Sequence, residues 1–147
     1  MAWLASAVRV LKAVGSAAVF LPFWIGAPIL GWVVFPLLDL LWRRRSRAER
    51  MARFQRIASR GFALLEHMMR WFRLHDFHPG RARIDAPEGA CVVVANHPTL
   101  IDVVALSAVL PKLCCIAKPM MCRNPLTSRL VRYLGYIEAS RAGLSRS

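Results

Sequence analysis

Acidic residues are scarce in this 147-residue chain: 8 Asp and Glu stand against 21 Lys and Arg, for a formal net charge of +13. Cysteine is scarce too, with 4 residues, which excludes a small disulfide-held scaffold. Low hydrophobicity, the mark of disorder, is also absent, because 56% of residues are hydrophobic. Repeats and low-complexity linkers are missing as well. What remains is a chain both apolar and basic, a balance that fits a membrane surface or a nucleic acid. The length allows one modest domain, or two at most.

The apolar and basic residues are segregated. Ala13 to Leu38 runs 26 residues without a charge. As a straight helix this stretch extends roughly 39 Å, longer than the bilayer core of about 30 Å. Pro22, Pro28 and Pro36 interrupt it, with Gly26 and Gly31 between them. Proline removes a backbone donor and kinks a helix, so a kinked spanning helix and a re-entrant hairpin both stay open. The run is too long for a signal peptide and lacks a small-residue cleavage site. Arg43, Arg44, Arg45, Arg47, Arg50, Arg53, Arg56 and Arg60 follow at once, opposed only by Glu49. Arginines beside an apolar segment favour anionic headgroups and the cytoplasmic side. That position favours membrane contact over nucleic acid, and no nucleic-acid partner is expected.

Ala48 to Phe72 predicts an amphipathic helix, with Phe54, Ile57, Gly61, Leu64, Leu65, Met68, Trp71 and Phe72 at steps of three and four. Met68, Trp71 and Phe72 are expected to pack rather than to bind a ligand. His67, His75 and His78 lie near its end. With no second ligand cluster, they read as surface or turn residues and not as a metal site. Turn chemistry over Pro79 to Gly89 leads into an α/β rhythm. Cys91 to Ala95 and Leu113 to Ala117 read as buried strands, and Tyr136 to Ala139 as a third. Leu100 to Leu110 reads as a helix. Asn124 is placed as the cap of another, with Pro125 at its first position. The fold expected is therefore α/β: an N-terminal membrane helix or helical hairpin, an amphipathic helix, and a partial βαβαβ mostly parallel sheet. Three segments follow: a membrane-anchoring segment over 1–42, a basic amphipathic linker over 43–78, and the start of an α/β domain over 79–147. Cys91, Cys114 and Cys115 fall in the expected strands and Cys122 in a loop, as small residues of a reduced protein.

The chemistry concentrates at Asn96-His97-Pro98-Thr99-Leu100-Ile101-Asp102, where a strand ends and a helix begins. Open α/β sheets gather ligands at that edge. Thr99 can cap the helix, placing Asp102 at its third position. The turn can bring the carboxylate back toward the imidazole of His97, and an imidazole held by a carboxylate is an oriented general base. The alternative is that Asp102 caps the helix and His97 is a loop residue.

This segment resembles the first motif, Asn-His-x4-Asp, of the glycerolipid (lysophospholipid) acyltransferases of the 1-acylglycerol-3-phosphate type. Gly135 and Arg141 match their second motif, a Gly followed six residues later by an Arg. Lys118 and Pro125 match a lysine and a proline common between the motifs. Glu138 and Ser140 stand where the family often has an aromatic and an Asp. The resemblance covers about Pro87 to Arg141. It implies a membrane-bound enzyme, its catalytic part facing the cytoplasm, of bacterial inner-membrane type. Such an enzyme moves a fatty acyl group from acyl-CoA or acyl carrier protein to a hydroxyl of a lysophospholipid, with lysophosphatidate as default acceptor. His97 would be the base and Asp102 its partner. Arg141, Lys118, Gly135 and Asn96 would form the substrate-binding set, with no metal and no bound cofactor. The family's third motif, Glu-Gly-Thr preceded by Phe-Pro, is not found after Arg141. The expectation is therefore the N-terminal part of such an enzyme, with an inactive membrane-associated remnant as the alternative.

Overall fold

The computed structural model describes residues 2–74, 89–96 and 100–139. Helix α1 (Ala2–Ile29), a π-helical turn (Leu30–Val34) and α2 (Phe35–Leu41) follow one another without a break. The apolar run is thus one helix through all three prolines, and the re-entrant hairpin is not formed. The π turn explains how Pro36 is tolerated. Just ahead of it the Phe35 N–H reaches Leu30 O, five residues back, and Pro36 sits in the first turn of α2, where a missing donor costs little. The wider turn also keeps one face in register. Val19, Phe23, Ala27, Gly31 and Phe35 recur every four residues, a spacing that drifts by about 40° per step in a regular α-helix. The π turn rotates the chain back, so that Val19, Ala27, Gly31 and Phe35 are all buried.

Helix α3 (Arg47–Trp71) is capped by Ser46, whose Oγ accepts the Glu49 N–H at 3.2 Å. It lies antiparallel to α1–α2. Val19 packs with Leu65 and Met69, while Phe35 packs with Phe54. The face α3 buries is rotated from the one its apolar spacing suggests. Phe54, Gln55, Ala58, Ser59, Leu65, Glu66 and Met69 are buried, whereas Leu64, Trp71 and Phe72 are exposed. The reason is that α3 has two neighbours. Its Val19 side is apolar, but the side against α4 (Leu100–Val109) takes small and polar residues, and Ser59 Oγ donates to Ala108 O at 3.3 Å.

Beyond α4 come β1 (Ile116–Ala117), α5 (Pro119–Arg123), α6 (Ser128–Tyr133) and β2 (Ile137–Glu138). The strands are parallel, with Ile116 opposite Ile137 and Ala117 opposite Glu138. The parallel crossover expected from the sequence is present, but the α/β expectation holds only in part, since the protein is mostly helical. Cys91 to Ala95 forms no strand. Val92 and Val94 are each 91% exposed, and Cys91 and Cys114 are exposed rather than buried. An apolar run becomes a strand only where a neighbouring strand takes up its backbone groups. Among the described residues none pairs with this one. Asn124 is likewise not a helix cap. Its Oδ1 accepts the Leu126 N–H at 2.9 Å in a local turn, and α6 starts at Ser128 with Thr127 as cap.

Two apolar clusters hold these elements together. One joins Val19, Leu65, Met69 and Val104. The other is aromatic: Phe35 and Phe54 lie 4.7 Å apart between ring centroids, and Tyr133 of α6 meets Phe54 at 5.1 Å and Phe35 at 5.7 Å. The same helix also touches α6 through its backbone. A Cβ on Gly31 would come within 2.9 Å of Leu130 N, so only glycine allows this approach. Next to it, Trp32 Nε1 donates to Pro125 O at 2.9 Å, and the Arg129 guanidinium stacks on its ring at 4.0 Å.

Candidate active site

The site is assembled on the helical pair. Residues 91–96 reach Asn96 as an exposed irregular segment. Helix α4 then begins, with Asp102 half-buried in its first turn. An acidic side chain there is favoured by the partial positive charge of the helix N-terminus. Val104, Ala105 and Ser107 of α4 are buried, with Val104 packed against Val19, Leu65 and Met69, so the position of Asp102 is set by packing on α1 and α3. His97 lies outside the described residues, as do Thr99, His75, His78 and Arg141.

Lys118 and Gly135 lie at the β1–β2 pair. Lys118 is exposed and follows β1 directly. It precedes α5, where its carbonyl accepts the Met121 N–H at 2.9 Å. Gly135 follows α6 with φ +71°, in the left-handed region that favours glycine. A Cβ there would also overlap Met51 Sδ. Its carbonyl accepts a bond from Cys114 Sγ at 2.9 Å, and the preceding Leu134 carbonyl accepts one from Gln55 Nε2 at 2.9 Å. Ile137 N–H to Cys115 O and Ala139 N–H to Ala117 O complete the ladder. The chain therefore leaves β2 at the edge where Lys118 enters α5, which is the carboxyl edge that the sequence pattern points to. Glu138 pairs with Arg123 at 3.4 Å on the surface.

A polar group around Tyr136 belongs to none of the motifs read from the sequence. Burial pushes the Cys115 thiol above its ordinary pKa, and a hydrogen bond with Tyr136 brings it part of the way back. Burial also pushes the Tyr136 phenol up strongly, as does the neighbouring Cys115, while Ser107 draws it down slightly. Both groups are therefore neutral at physiological pH. A cavity of about 10 Å³, room for roughly one water, lies among Gln55, Ser59, Ser107 and Tyr136. It is far too small for an acyl chain. The only signal for Tyr136 was its place beside Gly135. Among the described residues no group of three His, Cys, Asp or Glu side chains gathers to hold a metal.

The acyltransferase family model matches residues 73–147, which covers α4, both strands and α6 and reaches every motif residue named above. No curated protein and no solved structure matches the chain.

Proposed function

This chain belongs to the acyltransferase family, and from that premise we propose that it moves a fatty acyl group from acyl-CoA or acyl carrier protein to a hydroxyl of a lysophospholipid, with lysophosphatidate as default acceptor. The family match over 73–147 carries the reading. Asp102 in the first turn of α4 supports it, because that position suits a carboxylate that orients a base in the preceding loop. In the reaction, His97 takes the proton of the acceptor hydroxyl. The oxygen attacks the thioester carbonyl, the carbon–sulfur bond breaks, and the thiol of the donor leaves with a proton. Asp102 holds the imidazole and stabilises its cationic form. Arg141 grips the acceptor phosphate with its guanidinium fork, and Lys118 adds charge beside it. Asn96 and Gly135 shape the two turns. No acyl-enzyme forms, and no metal or bound cofactor takes part.

The same reading places the chain on a membrane through α1–α2. Ala17–Leu41 is long and apolar enough to cross a bilayer, with mean hydropathy 2.0. Its packing supports a different arrangement, with the helix lying in the plane of one leaflet. Phe35 packs on Phe54 and Val19 on Leu65 and Met69, so α3 accompanies the apolar helix along this length. A crossing would carry Arg56 and Arg60 of α3 into the bilayer with it, where an arginine at the centre costs about 2.5–3.5 kcal/mol. Lying flat, the helix turns Leu21, Ile25, Ile29, Val33, Leu37 and Leu40, all exposed, toward the acyl chains. Arg43 to Arg47 then meet anionic headgroups.

Incubating membranes that carry the chain with labelled acyl thioester and lysophosphatidate tests the chemistry. Wild type should transfer the label, and His97→Ala should lower the rate by at least about 100-fold. Equal rates in the two would remove His97 from the mechanism. No transfer by wild type would leave a membrane-associated protein without catalysis. For the placement, an epitope tag ahead of Met1 should be reached from the same side of sealed vesicles as the arginines at 43–47. A tag reached only from the opposite side would mean a crossing.

A further inference from the structure

The apolar helix and α6 meet beside an exposed apolar stripe. In sequence Trp32 stands between Ile29 and Val33, and all three are exposed. The Trp32 indole Nε1 donates to Pro125 O at 2.9 Å, and the Arg129 guanidinium lies 4.0 Å from its ring centroid. One residue earlier, the bare backbone of Gly31 admits Leu130 N. These contacts hold α6 at one place beside the stripe. The inner side of α6 is spent on the core. Val131 and Leu134 are buried, and Leu130 and Tyr133 pack against the cluster of Phe35 and Phe54. Leu126, Arg129 and Arg132 stay exposed.

Leu126 is presented by a built turn. Its N–H donates to Asn124 Oδ1 at 2.9 Å, and the neighbouring Thr127, itself buried, donates from Oγ1 to Met121 O at 2.7 Å. Trp32 and Leu126 are each 47% exposed. One exposed leucine needs no explanation, but one set beside an exposed indole and two arginines forms a patch of mixed character. That mixture suits the boundary of a bilayer, where an indole sits at headgroup level and a guanidinium reaches for phosphate. The charge fits the same partner. Residues 119–133 hold three arginines and no acid. Arg123 pairs with Glu138, but among the described residues no carboxylate lies in ion-pair reach of Arg129 or Arg132. We propose that Trp32, Leu126, Arg129 and Arg132 form a second membrane contact, by which the motif-bearing part itself rests on an anionic lipid surface. This rests on the membrane placement of α1–α2 proposed above. Because α6 is six residues long and runs on to Gly135, the contact sets the strand pair within about 9 Å of the headgroups.

The test replaces Leu126 or Val33 of the full chain, one at a time, by the photoreactive residue benzoylphenylalanine. Each chain is reconstituted in vesicles of phosphatidylcholine, with or without phosphatidylglycerol, and illuminated. Position 33 reports the apolar helix and should give a lipid adduct in both compositions. Position 126 should give at least about fivefold more lipid adduct with phosphatidylglycerol than without. Arg129→Gln and Arg132→Gln should each lower the adduct at 126 about fivefold and leave that at 33 within about twofold. Arg132→Gln keeps the stack of Arg129 on Trp32, so its loss reads charge at the surface and not a loosened α6. Lipid adduct at 33 without any at 126 overturns the proposal and leaves the placement of α1–α2 standing. Equal yields at 126 in the two compositions, or arginine variants that match wild type, overturn it too. So does an adduct to protein in place of lipid when the chain is illuminated in membranes of the expressing cells. No adduct at either position shows that the apolar helix is not in lipid, and the proposal falls together with that placement. Acyl transfer is not measured, so a failure of the catalytic reading is seen separately.

Discussion

The helical pair and the motif-bearing part are built to different standards. Along α1–α3, whole aromatic side chains are buried against one another: Phe35 is 0% and Phe54 2% exposed. In the motif-bearing part the strands are two residues long, and Ile116 and Ile137 remain 76% and 61% exposed. The second region borrows its core from the first. Helix α4 leans on α3 and Val19, α6 on the π turn and Phe54, and Gly135 on Met51. The difference teaches that the apolar N-terminal helix is the scaffold on which the motif-bearing part is built.

The largest expected effect tests that dependence. Phe54→Ala removes the ring that Phe35, Trp42 and Tyr133 share, and should cost about 3–5 kcal/mol of stability in denaturant unfolding. Because Tyr133 belongs to α6, proteolysis within 119–133 should accelerate together with unfolding of the pair. Independent melting of the two regions would break the comparison.

A smaller effect is expected where the borrowed contact is a backbone one. Gly135→Ala places a side chain at φ +71° and should cost about 1–3 kcal/mol in the same measurement, apart from the overlap with Met51. Adding Met51→Ala should relieve the overlap and leave the backbone part. Full recovery in the double variant would show that the left-handed conformation carries no cost here.

The smallest effect is expected in the exposed segment. Val92→Ser removes an apolar side chain that is 91% exposed and should change stability by less than about 0.5 kcal/mol. A loss of several times that size would mean that this segment packs in solution as a strand after all, and the contrast between the regions would narrow.

Much of the helical layout was legible because helices are specified locally. The reading of Ala48 to Phe72 falls within a residue of the observed α3, and Leu100 to Leu110 overlaps α4 almost completely. The face of α3 was misjudged because apolar spacing does not register that Ser59 and Gln55 can be buried when each has a carbonyl to bond. The strands were the weaker part, since β pairing depends on partners far away in sequence. Of the candidate site, the spacing of Asn96, Asp102, Lys118 and Gly135 could be read directly. The Ser107–Tyr136–Cys115 group could not, because its members are brought together only by packing.

By itself, then, the sequence determined the segregation of charge from apolar surface, the helices whose periodicity is local, and the match to the acyltransferase family over 73–147. Tertiary structure decided the rest. It passed the apolar run through three prolines as one helix, and the π turn ahead of Pro36 accommodates that proline and keeps the packed face in register. It set that helix beside arginine-bearing α3 along most of its length. It also left Cys91 to Ala95 unpaired, because a strand exists only where another backbone meets it.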